Sequence, residues 1–354
     1  MSLTRIAVLG AGAIGSTIGA YVARAGRPIT LIDLWPAHVD AMNRGGLTMT
    51  AQDEEFTVPV TAVHLSEVAS LRDPFDAVFL SVKSADTSWA ATFIAPHLAP
   101  GGVLVSAQNG INDEEIGRII GYPRTLGCVV TIGAALQEPG RVVRTTPSGR
   151  PAFGVGELTG MVTPRAHAVA EVLAPVGPAR VTANLWGERW AKLVVNCMAN
   201  ALAGITGLNN AELRSRADVF AATVEIAGEA LSVAQALGVQ VEPVGGIAAA
   251  AYLDAYRGVG LEGLRASWLE RGKGVGAGRP SLLQDVLKGR RTEVDYLNGY
   301  VVRQGRAVGV PTPMNAAVVE VVKRIEAGEL SPDPASLGLL KRSLCRPTAR
   351  EAVR

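Results

Sequence analysis

The chain has 354 residues, which at roughly 150 residues per domain predicts two domains, each large enough to fold without disulfide or metal staples. Aliphatic, aromatic and cysteine residues make up 48% of the chain and charged residues 19%, a composition typical of a folded globular protein. Lys and Arg number 34 against 32 Asp and Glu, and no basic arm or stripe is present, which argues against nucleic-acid and membrane-surface partners.

The cysteines are too few and too scattered to form a recognisable disulfide framework or zinc site. They lie at Cys128, Cys197 and Cys345, and an odd number of isolated thiols is most simply explained by a reducing compartment. The apolar segment over residues 6–23 contains four glycines, so it makes a poor hydrophobic span, and no obvious cleavage site follows it. We therefore expect a cytoplasmic protein with no metal and no targeting signal.

The first half of the chain alternates strand and helix patterns. Strands are predicted at residues 5–9, 29–32, 77–82, 102–106 and 126–132. Helices are predicted at residues 14–25, 86–98 and 113–120, and a hairpin within residues 46–60. This order predicts an α/β fold with a Rossmann-type, doubly wound and mostly parallel sheet.

The pattern becomes almost entirely helical after about residue 183. Helices are predicted at residues 186–203, 211–237, 281–308 and 315–328. We therefore predict a Rossmann-type domain over residues 1–183 and an all-helical domain over residues 184–354, whose apolar helices make a homodimer plausible. The glycine-rich residues 272–278 predict a mobile loop, and the basic tail beyond residue 341 is expected to be frayed.

A glycine-rich turn lies between the first predicted strand and the first predicted helix. Its sequence, Gly-Ala-Gly-Ala-Ile-Gly, fits G-x-G-x-x-G, and an acidic residue ends the next strand about 20 residues on. The first glycine permits the tight turn, the second lets backbone approach a pyrophosphate, the third brings helix and strand together, and the helix N-terminus favours negative charge. A plain packing turn is the alternative, but this context favours a dinucleotide site formed by Gly10, Gly12, Ala13, Ile14 and Gly15.

The acidic residue, Asp33, bears on the choice of cofactor. Its carboxylate can accept hydrogen bonds from both ribose hydroxyls of NAD, whereas a 2′-phosphate would meet like charge unless an Arg lay nearby. The next residues, Leu34, Trp35 and Pro36, supply no Arg. We predict a preference for NAD(H) over NADP(H), with helix capping as the alternative role of Asp33.

Two polar residues follow other predicted strands. Lys83 comes after Phe-Leu-Ser-Val, and Asn109 follows the strand at residues 102–106. Doubly wound folds bind ligands at the carboxyl ends of their strands, so both residues can face the cofactor. The alternatives are a solvated lysine and a turn-forming asparagine before Gly110.

A polar stripe runs along the first long helix of the second half. Lys192, Asn196 and Asn200 recur at steps of four in an otherwise apolar sequence, so they share one narrow helix face. Because burial of an unsatisfied amide costs on the order of 1–3 kcal/mol, the stripe needs polar partners. A substrate cleft would supply them, and a buried lysine with a lowered pKa can exchange a proton there. A solvent-facing strip or an interhelix hydrogen-bond network is the alternative.

The predicted helix over residues 281–308 carries two more candidates. Ser281, near its N-terminus, can hold a carboxylate with its hydroxyl and free backbone amides. Glu293 can bind a substrate hydroxyl or pair with Lys192, although Arg-Arg-Thr-Glu by itself more often marks an exposed, ion-paired helix face.

Together these motifs resemble those of the ketopantoate reductases (2-dehydropantoate 2-reductases) over most of the chain. The segments that carry the resemblance are Gly-Ala-Gly-Ala-Ile-Gly at residues 10–15, Ser-Val-Lys ending at residue 83, Gln-Asn-Gly at 108–110, Lys-Leu-Val-Val-Asn-Cys-Met-Ala-Asn at 192–200, Asn-Ala-Glu-Leu at 210–213, and Ser-Leu-Leu-Gln-Asp through Arg-Thr-Glu-Val-Asp-Tyr-Leu-Asn-Gly at 281–299. The resemblance implies a Rossmann domain and a helical domain, with the active site in the cleft between them.

The same resemblance implies roles for individual residues. It assigns Lys192 as general acid, Asn196 and Asn200 as substrate ligands, Ser281 as the carboxylate-binding hydroxyl, Glu293 as the residue for the substrate hydroxyl, and Lys83 and Asn109 as cofactor-side and substrate-side residues. Two features depart from the family pattern. The family commonly uses NADPH and often has a basic residue where this chain has Asp33, and residues 244–278 look longer than a minimal member needs.

The expected function is hydride transfer between a nicotinamide cofactor and C2 of a small 2-oxo or 2-hydroxy acid, with ketopantoate and pantoate as the default pair. One alternative is a dehydrogenase of this family, or a related one, that acts on another hydroxy acid or an opine. The others are a non-catalytic NAD-binding regulator and a structural oligomer whose polar stripe forms an interface.

Overall fold

The structure, a computed structural model, describes residues 3–273, 276 and 278–344, with side chains up to residue 340. The chain divides into two compact units, Met1–Leu185 and Trp186–Arg354. The loop predicted at residues 272–278 lies partly outside the described residues, and the tail beyond residue 341 lies largely outside them. No helix in the described ranges is long and apolar enough to cross a lipid bilayer.

The described part of the first unit contains twelve strands. They are β1 (Ile6–Leu9), β2 (Ile29–Asp33), β3 (Leu47–Thr50), β4 (Glu55–Val58), β5 (Thr61–His64), β6 (Phe75–Leu80), β7 (Leu98–Ser106), β8 (Thr125–Val130), β9 (Ala134–Glu138), β10 (Arg141–Arg144), β11 (Phe153–Glu157) and β12 (Ala179–Val181). Its helices are α1 (Ala13–Arg24), α2 (Pro36–Gly45), α3 (Thr87–Ile94), α4 (Asp113–Ile120) and α5 (Pro164–Leu173). The five predicted strands correspond to β1, β2, β6, β7 and β8.

Eight of these strands form one sheet in the order β12-β11-β8-β7-β6-β1-β2-β5. Every neighbouring pair is parallel except β8 and β11. The chain moves outward from β1 through β2 to β5 and then returns to place β6 on the other side of β1. The strand order therefore reverses between β1 and β6, which is where open α/β sheets bind ligands.

Both faces of this sheet are covered, as the near-continuous apolar strands require. Along β1, Ile6 and Val8 join a core that contains residues of α1 and α5. The alternate residues, Ala7 and Leu9, join a second core with residues of α3 and α4. Because successive strand side chains point to opposite faces, helices cover the sheet on both sides. The predicted doubly wound α/β fold is confirmed.

A second, four-stranded sheet has the order β4-β3-β10-β9. The hairpin predicted within residues 46–60 is confirmed, since β3 and β4 pair antiparallel. The hairpin of β9 and β10 was not predicted, although Pro139-Gly140 is a recognisable turn signal. Leu47, Met49 and Val142 of this sheet belong to the same core as α1.

The described part of the second unit is helical, as predicted. Its helices are α6 (Leu185–Thr206), α7 (Asn210–Ser215), α8 (Ala217–Ala236), α9 (Ala249–Tyr256), α10 (Leu261–Gly272), α11 (Ser281–Leu287), α12 (Asn298–Val308), α13 (Pro313–Glu326) and α14 (Leu337–Leu344). The helix predicted over residues 211–237 is interrupted at Arg216, whose φ of −102° and ψ of 129° are extended.

The prediction of a single helix over residues 281–308 is wrong. It is two helices, α11 and α12, joined by turns over residues 288–297. Gly289 has a φ of 60°, a left-handed conformation that ends α11 and favours glycine. The backbone N–H of Arg290 donates to the Asp285 carbonyl at 2.9 Å, which satisfies the end of the helix.

Candidate active site

The glycine-rich turn connects β1 to α1, and two of its glycines are required by space. Gly10 has a φ of 93°, and a Cβ there would lie 2.8 Å from Cγ1 of Val82. At Gly15 a Cβ would lie 2.1 Å from the Gly10 carbonyl oxygen. These contacts explain the first and third glycines of the motif by local packing.

Gly12 requires a different explanation. It is the N-cap of α1, and its φ of −66° is accessible to any residue. No heavy atom lies within 4 Å of the position that its Cβ would occupy, so the backbone is open to a ligand there. The neighbouring helix, α1, is 12 residues long, and its first N–H groups favour an anion. The turn therefore fits the pyrophosphate of a dinucleotide, with Ala13 and Ile14 in the first turn of α1.

Lys83 and Asn109 lie at the same edge of the sheet as the turn. Lys83 follows β6 and precedes a short 3₁₀ turn at Ser84–Asp86. Asn109 follows β7, and its carbonyl accepts hydrogen bonds from Ser84 Oγ at 3.3 Å and Asn112 Nδ2 at 3.0 Å. Since β1, β6 and β7 are parallel neighbours, the structure brings the glycine turn, Lys83 and Asn109 to their common carboxyl end.

A buried glutamine, the first residue of the Gln-Asn-Gly segment, joins these loops. Gln108 donates from Nε2 to the Val82 carbonyl at 3.0 Å and to Thr87 Oγ1 at 2.9 Å. These bonds tie the segment after β7 to the segment after β6. Only its place beside Asn109 in the sequence could have indicated this role.

Asp33 is the last residue of β2 and is half-buried. Its Oδ1 accepts the backbone N–H of Trp35 at 2.9 Å, and Trp35 is the N-cap of α2. Asp33 lies two residues before this N-cap, and α2 has no side-chain capping bond, so the capping alternative is not found and the bond closes a turn before the helix. Within the described part of the chain Oδ2 has no hydrogen-bond partner, so it is available to a ligand.

The polar stripe of the second unit lies on α6. Asn196 and Asn200 are buried, at 4% and 8% exposure, and Lys192 is half-buried. Among the described residues, neither Lys192 nor Asn200 has a side-chain hydrogen-bond or ion-pair partner. Burial lowers the pKa of Lys192 below its ordinary value. Buried amides do not fit a solvent-facing strip.

Ser281 and Glu293 lie on different elements. Ser281 is the first residue of α11, and this helix contacts α6 closely, because a Cβ on Gly204 would lie 2.1 Å from Leu282 Cδ2. Glu293 is 7% exposed and lies in the turns between α11 and α12. Lys192 forms no ion pair with Glu293 or any other described residue, so the predicted pairing of these two residues is not found.

The turns that carry Glu293 are held by a contact distant in sequence. Glu326 Oε1, at the end of α13, accepts the backbone N–H of Thr292 at 2.7 Å and the Thr292 hydroxyl at 2.6 Å. Lys323 Nζ lies 2.9 Å from Glu326 Oε2, and the Thr292 hydroxyl and Lys323 hold the pKa of this carboxyl below its usual range against the effect of burial.

In the described ranges no group of three or more His, Cys, Asp or Glu side chains is placed to hold a metal ion.

A doubly wound sheet with an open helix N-terminus at its switch point defines a Rossmann-type dinucleotide-binding protein, here with a helical second unit. Family models for this combination match both halves. Residues 6–157 match "Ketopantoate reductase PanE/ApbA" and residues 184–326 match "Ketopantoate reductase PanE/ApbA C terminal". The chain belongs to the ketopantoate reductase family of nicotinamide-dependent oxidoreductases.

Individual relatives cover nearly the whole chain. The 2-dehydropantoate 2-reductase of Pyrococcus abyssi is 30% identical over 92% of this chain and 99% of its own. That of Archaeoglobus fulgidus is 29% identical over 93% and 100%. Among solved structures, the PanE/ApbA family ketopantoate reductase of Ralstonia eutropha JMP134 is 30% identical with a TM-score of 0.74 over 92% of this chain and 99% of that one.

A second solved structure carries a different name. The ternary structure of D-mandelate dehydrogenase with NADH and anilino(oxo)acetate is 25% identical, with a TM-score of 0.76, and covers 91% of this chain and 98% of that one. The fold is thus shared by proteins named for different hydroxy acids.

Proposed function

We propose that this chain transfers a hydride between NAD(H) and C2 of a small 2-oxo or 2-hydroxy acid, with ketopantoate and pantoate as the default pair. The observation that carries the proposal is the state of Lys192. It is half-buried, has a lowered pKa, and lies in line with two buried amides on α6 without an ion-pair partner among the described residues. Membership of the ketopantoate reductase family supports the same reaction class.

Lys192 supplies the proton of the reaction. When bound, the reduced nicotinamide supplies a hydride, with its electron pair, to the carbonyl carbon. Negative charge then develops on the carbonyl oxygen, and the Lys192 ammonium stabilises that charge and donates its proton to it. The product is the 2-hydroxy acid, and in the reverse direction the neutral amine accepts the proton.

The remaining candidates bind and orient the substrate. Amides at Asn196, Asn200 and Asn109 can donate to and accept from its oxygens, and the Ser281 hydroxyl can donate to its carboxylate. Glu293 can accept a hydrogen bond from a substrate hydroxyl. Holding the acid in one orientation lowers the entropy lost on reaching the transition state.

The first unit binds the dinucleotide in this proposal. Gly10, Gly12 and Gly15 form the turn for the pyrophosphate, and the first turn of α1 supplies N–H groups. Lys83 lies on the cofactor side. Oδ2 of Asp33 accepts a hydrogen bond from a ribose hydroxyl of the cofactor. This favours NAD(H), because the 2′-phosphate of NADP(H) would meet the negative charge of the carboxylate.

A second candidate function is oxidation of a different 2-hydroxy acid by the same machinery. Asp33 favours it, since NAD is the usual cofactor for oxidation, and so does the similarity to a protein named D-mandelate dehydrogenase and solved with NADH. The two candidates share every residue role and differ only in the group carried on C2. A substrate panel separates them.

The experiment follows nicotinamide absorbance with purified protein, NADH or NADPH, and ketopantoate beside a panel of 2-oxo acids that includes a phenyl-substituted member. Turnover with ketopantoate and NADH is expected. Turnover with another acid alone supports the second candidate. Cofactor binding without turnover on any acid would contradict an enzymatic role.

We also propose a cytoplasmic homodimer, from the scattered cysteines and the apolar helices of the second unit. Light scattering of the purified protein tests the dimer, and cell fractionation tests the location. A monomer at micromolar concentration would contradict the first.

A further inference from the structure

A histidine of α2 contacts the glycine-rich turn. His38 is fully buried, and its Nε2 lies 2.9 Å from the carbonyl oxygen of Ala11, the residue between Gly10 and Gly12, and 3.2 Å from Ser16 Oγ. Its other ring nitrogen, Nδ1, accepts the backbone N–H of Gly140 at 2.9 Å. One imidazole therefore joins the turn to the β9–β10 hairpin.

The Ala11 carbonyl and the Gly140 N–H fix the protonation state of the ring. An amide N–H can only donate, so Nδ1 carries no proton, and a carbonyl can only accept, so Nε2 carries one. Burial lowers the pKa of His38, while the charge of Asp33 acts in the opposite direction. The Trp35 ring stacks on the imidazole with 5.9 Å between ring centroids. The neutral ring satisfies both contacts.

Gly140 gives the imidazole a firm anchor. Its φ of 77° belongs to the turn between β9 and β10, and its carbonyl accepts the Thr48 N–H of β3 at 2.8 Å. The N–H that reaches His38 is thereby tied into the four-stranded sheet. The four-stranded sheet therefore fixes the position of the His38 ring, and the ring in turn contacts the glycine-rich turn.

The Ala11 carbonyl receives a second hydrogen bond. Ser16 Oγ, also buried, donates to it at 2.6 Å. In a trans peptide the carbonyl and the following N–H point in opposite directions, so holding the Ala11 carbonyl turns the Gly12 N–H away from His38. That N–H has no acceptor in the part of the chain that the structure describes.

We propose that His38 is a positioning residue for dinucleotide binding, which orients the Ala11–Gly12 peptide so that the Gly12 N–H is available to the pyrophosphate. The inference rests on the proposed function, in which this turn holds the cofactor. His38 acts through Ala11 and makes its contribution before any chemical step. Its loss should therefore weaken cofactor binding and leave the rate of the bound enzyme nearly unchanged.

The test measures NADH affinity by calorimetry, without substrate, for the wild type, His38→Ala, His38→Gln and His167→Ala. Loss of the hydrogen bonds of the ring in His38→Ala should raise the Kd for NADH roughly ten- to hundredfold. The KM for NADH should rise in parallel while kcat changes less than about twofold. In His38→Gln the amide oxygen can accept from Gly140 and the amide N–H can donate to Ala11, so much of the affinity should return. His167 is exposed on α5 and serves as the matched control.

Wild-type affinity in His38→Ala, or no recovery in His38→Gln, would overturn the positioning role and leave the proposed function standing. A wild-type protein that binds neither NADH nor NADPH would overturn both. If His38→Ala melts before the assay temperature, His38→Phe replaces it, because that variant keeps an aromatic ring beside Trp35 and removes the hydrogen bonds of the imidazole to Ala11 and Gly140. Its Kd for NADH should rise several-fold, and an unchanged Kd would overturn the proposal.

Discussion

Lys192 gives the reaction a pH dependence whose sign follows from its burial. Burial lowers its pKa below the ordinary 10.5. Reduction needs the ammonium, so kcat in that direction should be constant below the pKa of Lys192 and fall about tenfold per pH unit above it. Oxidation needs the neutral amine and should rise with pH until the same pKa is reached. Profiles of kcat in both directions would check this, and two profiles that change in the same sense would contradict it.

Asp33 can be tested with a substitution that separates its two roles. Asp33→Asn keeps an oxygen for the Trp35 N–H and removes the charge. The ratio of kcat/KM for NADH to that for NADPH should fall at least about tenfold, because the repulsion of the 2′-phosphate is lost. An unchanged ratio would mean that Asp33 only holds the turn before α2. A wild type that prefers NADPH would contradict the cofactor assignment outright.

At the scale of the element, the turn between β1 and α1 predicts opposite outcomes for two glycines. Gly15→Ala places a Cβ 2.1 Å from the Gly10 carbonyl and should lower the free energy of unfolding by about 1–3 kcal/mol or more. Gly12→Ala meets no heavy atom within 4 Å and should leave stability unchanged. It should nevertheless raise the Kd for NADH roughly tenfold or more, because its methyl group occupies the approach to the pyrophosphate.

Urea unfolding and NADH titration of both variants measure these effects. Gly15→Ala with wild-type stability would show that the turn relaxes freely. Gly12→Ala with wild-type affinity would show that the open face of the turn is not where the dinucleotide binds.

Elements with strong local signals could be predicted from the sequence. The start of α1 follows from Gly12 and the apolar periodicity after it, and α4 was predicted with its observed bounds because its helical pattern ends at Gly121. The end of α11 had a local signal in Gly289, but the path of the chain through residues 288–297 had none, because the bonds that hold Thr292 come from Glu326, 34 residues away. Of the four-stranded sheet, only the hairpin of β3 and β4 is predicted from the sequence. The pairing of β10 with β3 joins segments that are far apart in the chain.

The candidate site shows the same limit. Regular spacing made Lys192, Asn196 and Asn200 visible in the sequence. Nothing local marks His38, whose partner Gly140 is 102 residues distant, and the only local sign that Glu293 lies beyond the helix that begins at Ser281 is Gly289. Residues whose roles depend on spacing within one element are predictable, while those that act through contacts distant in sequence are not.

At the scale of the whole molecule, the two units have different tasks in the proposed reaction. The first unit supplies an anion-binding turn and a ribose acceptor, and the second supplies a half-buried lysine and buried amides. A substitution in the stripe of α6 should therefore change turnover and leave cofactor binding intact. This separation is the central claim about the enzyme.

The most direct measurement is kcat for Lys192→Ala with the best acid from the panel, together with its Kd for NADH. The kcat of Lys192→Ala should fall roughly 10²-fold or more, with the Kd for NADH changed less than about twofold and the melting temperature not lowered. Lys288→Ala, an exposed lysine of the same unit, should retain wild-type kcat. Near wild-type turnover in Lys192→Ala would contradict the role of Lys192 as proton donor and, with it, the proposed mechanism.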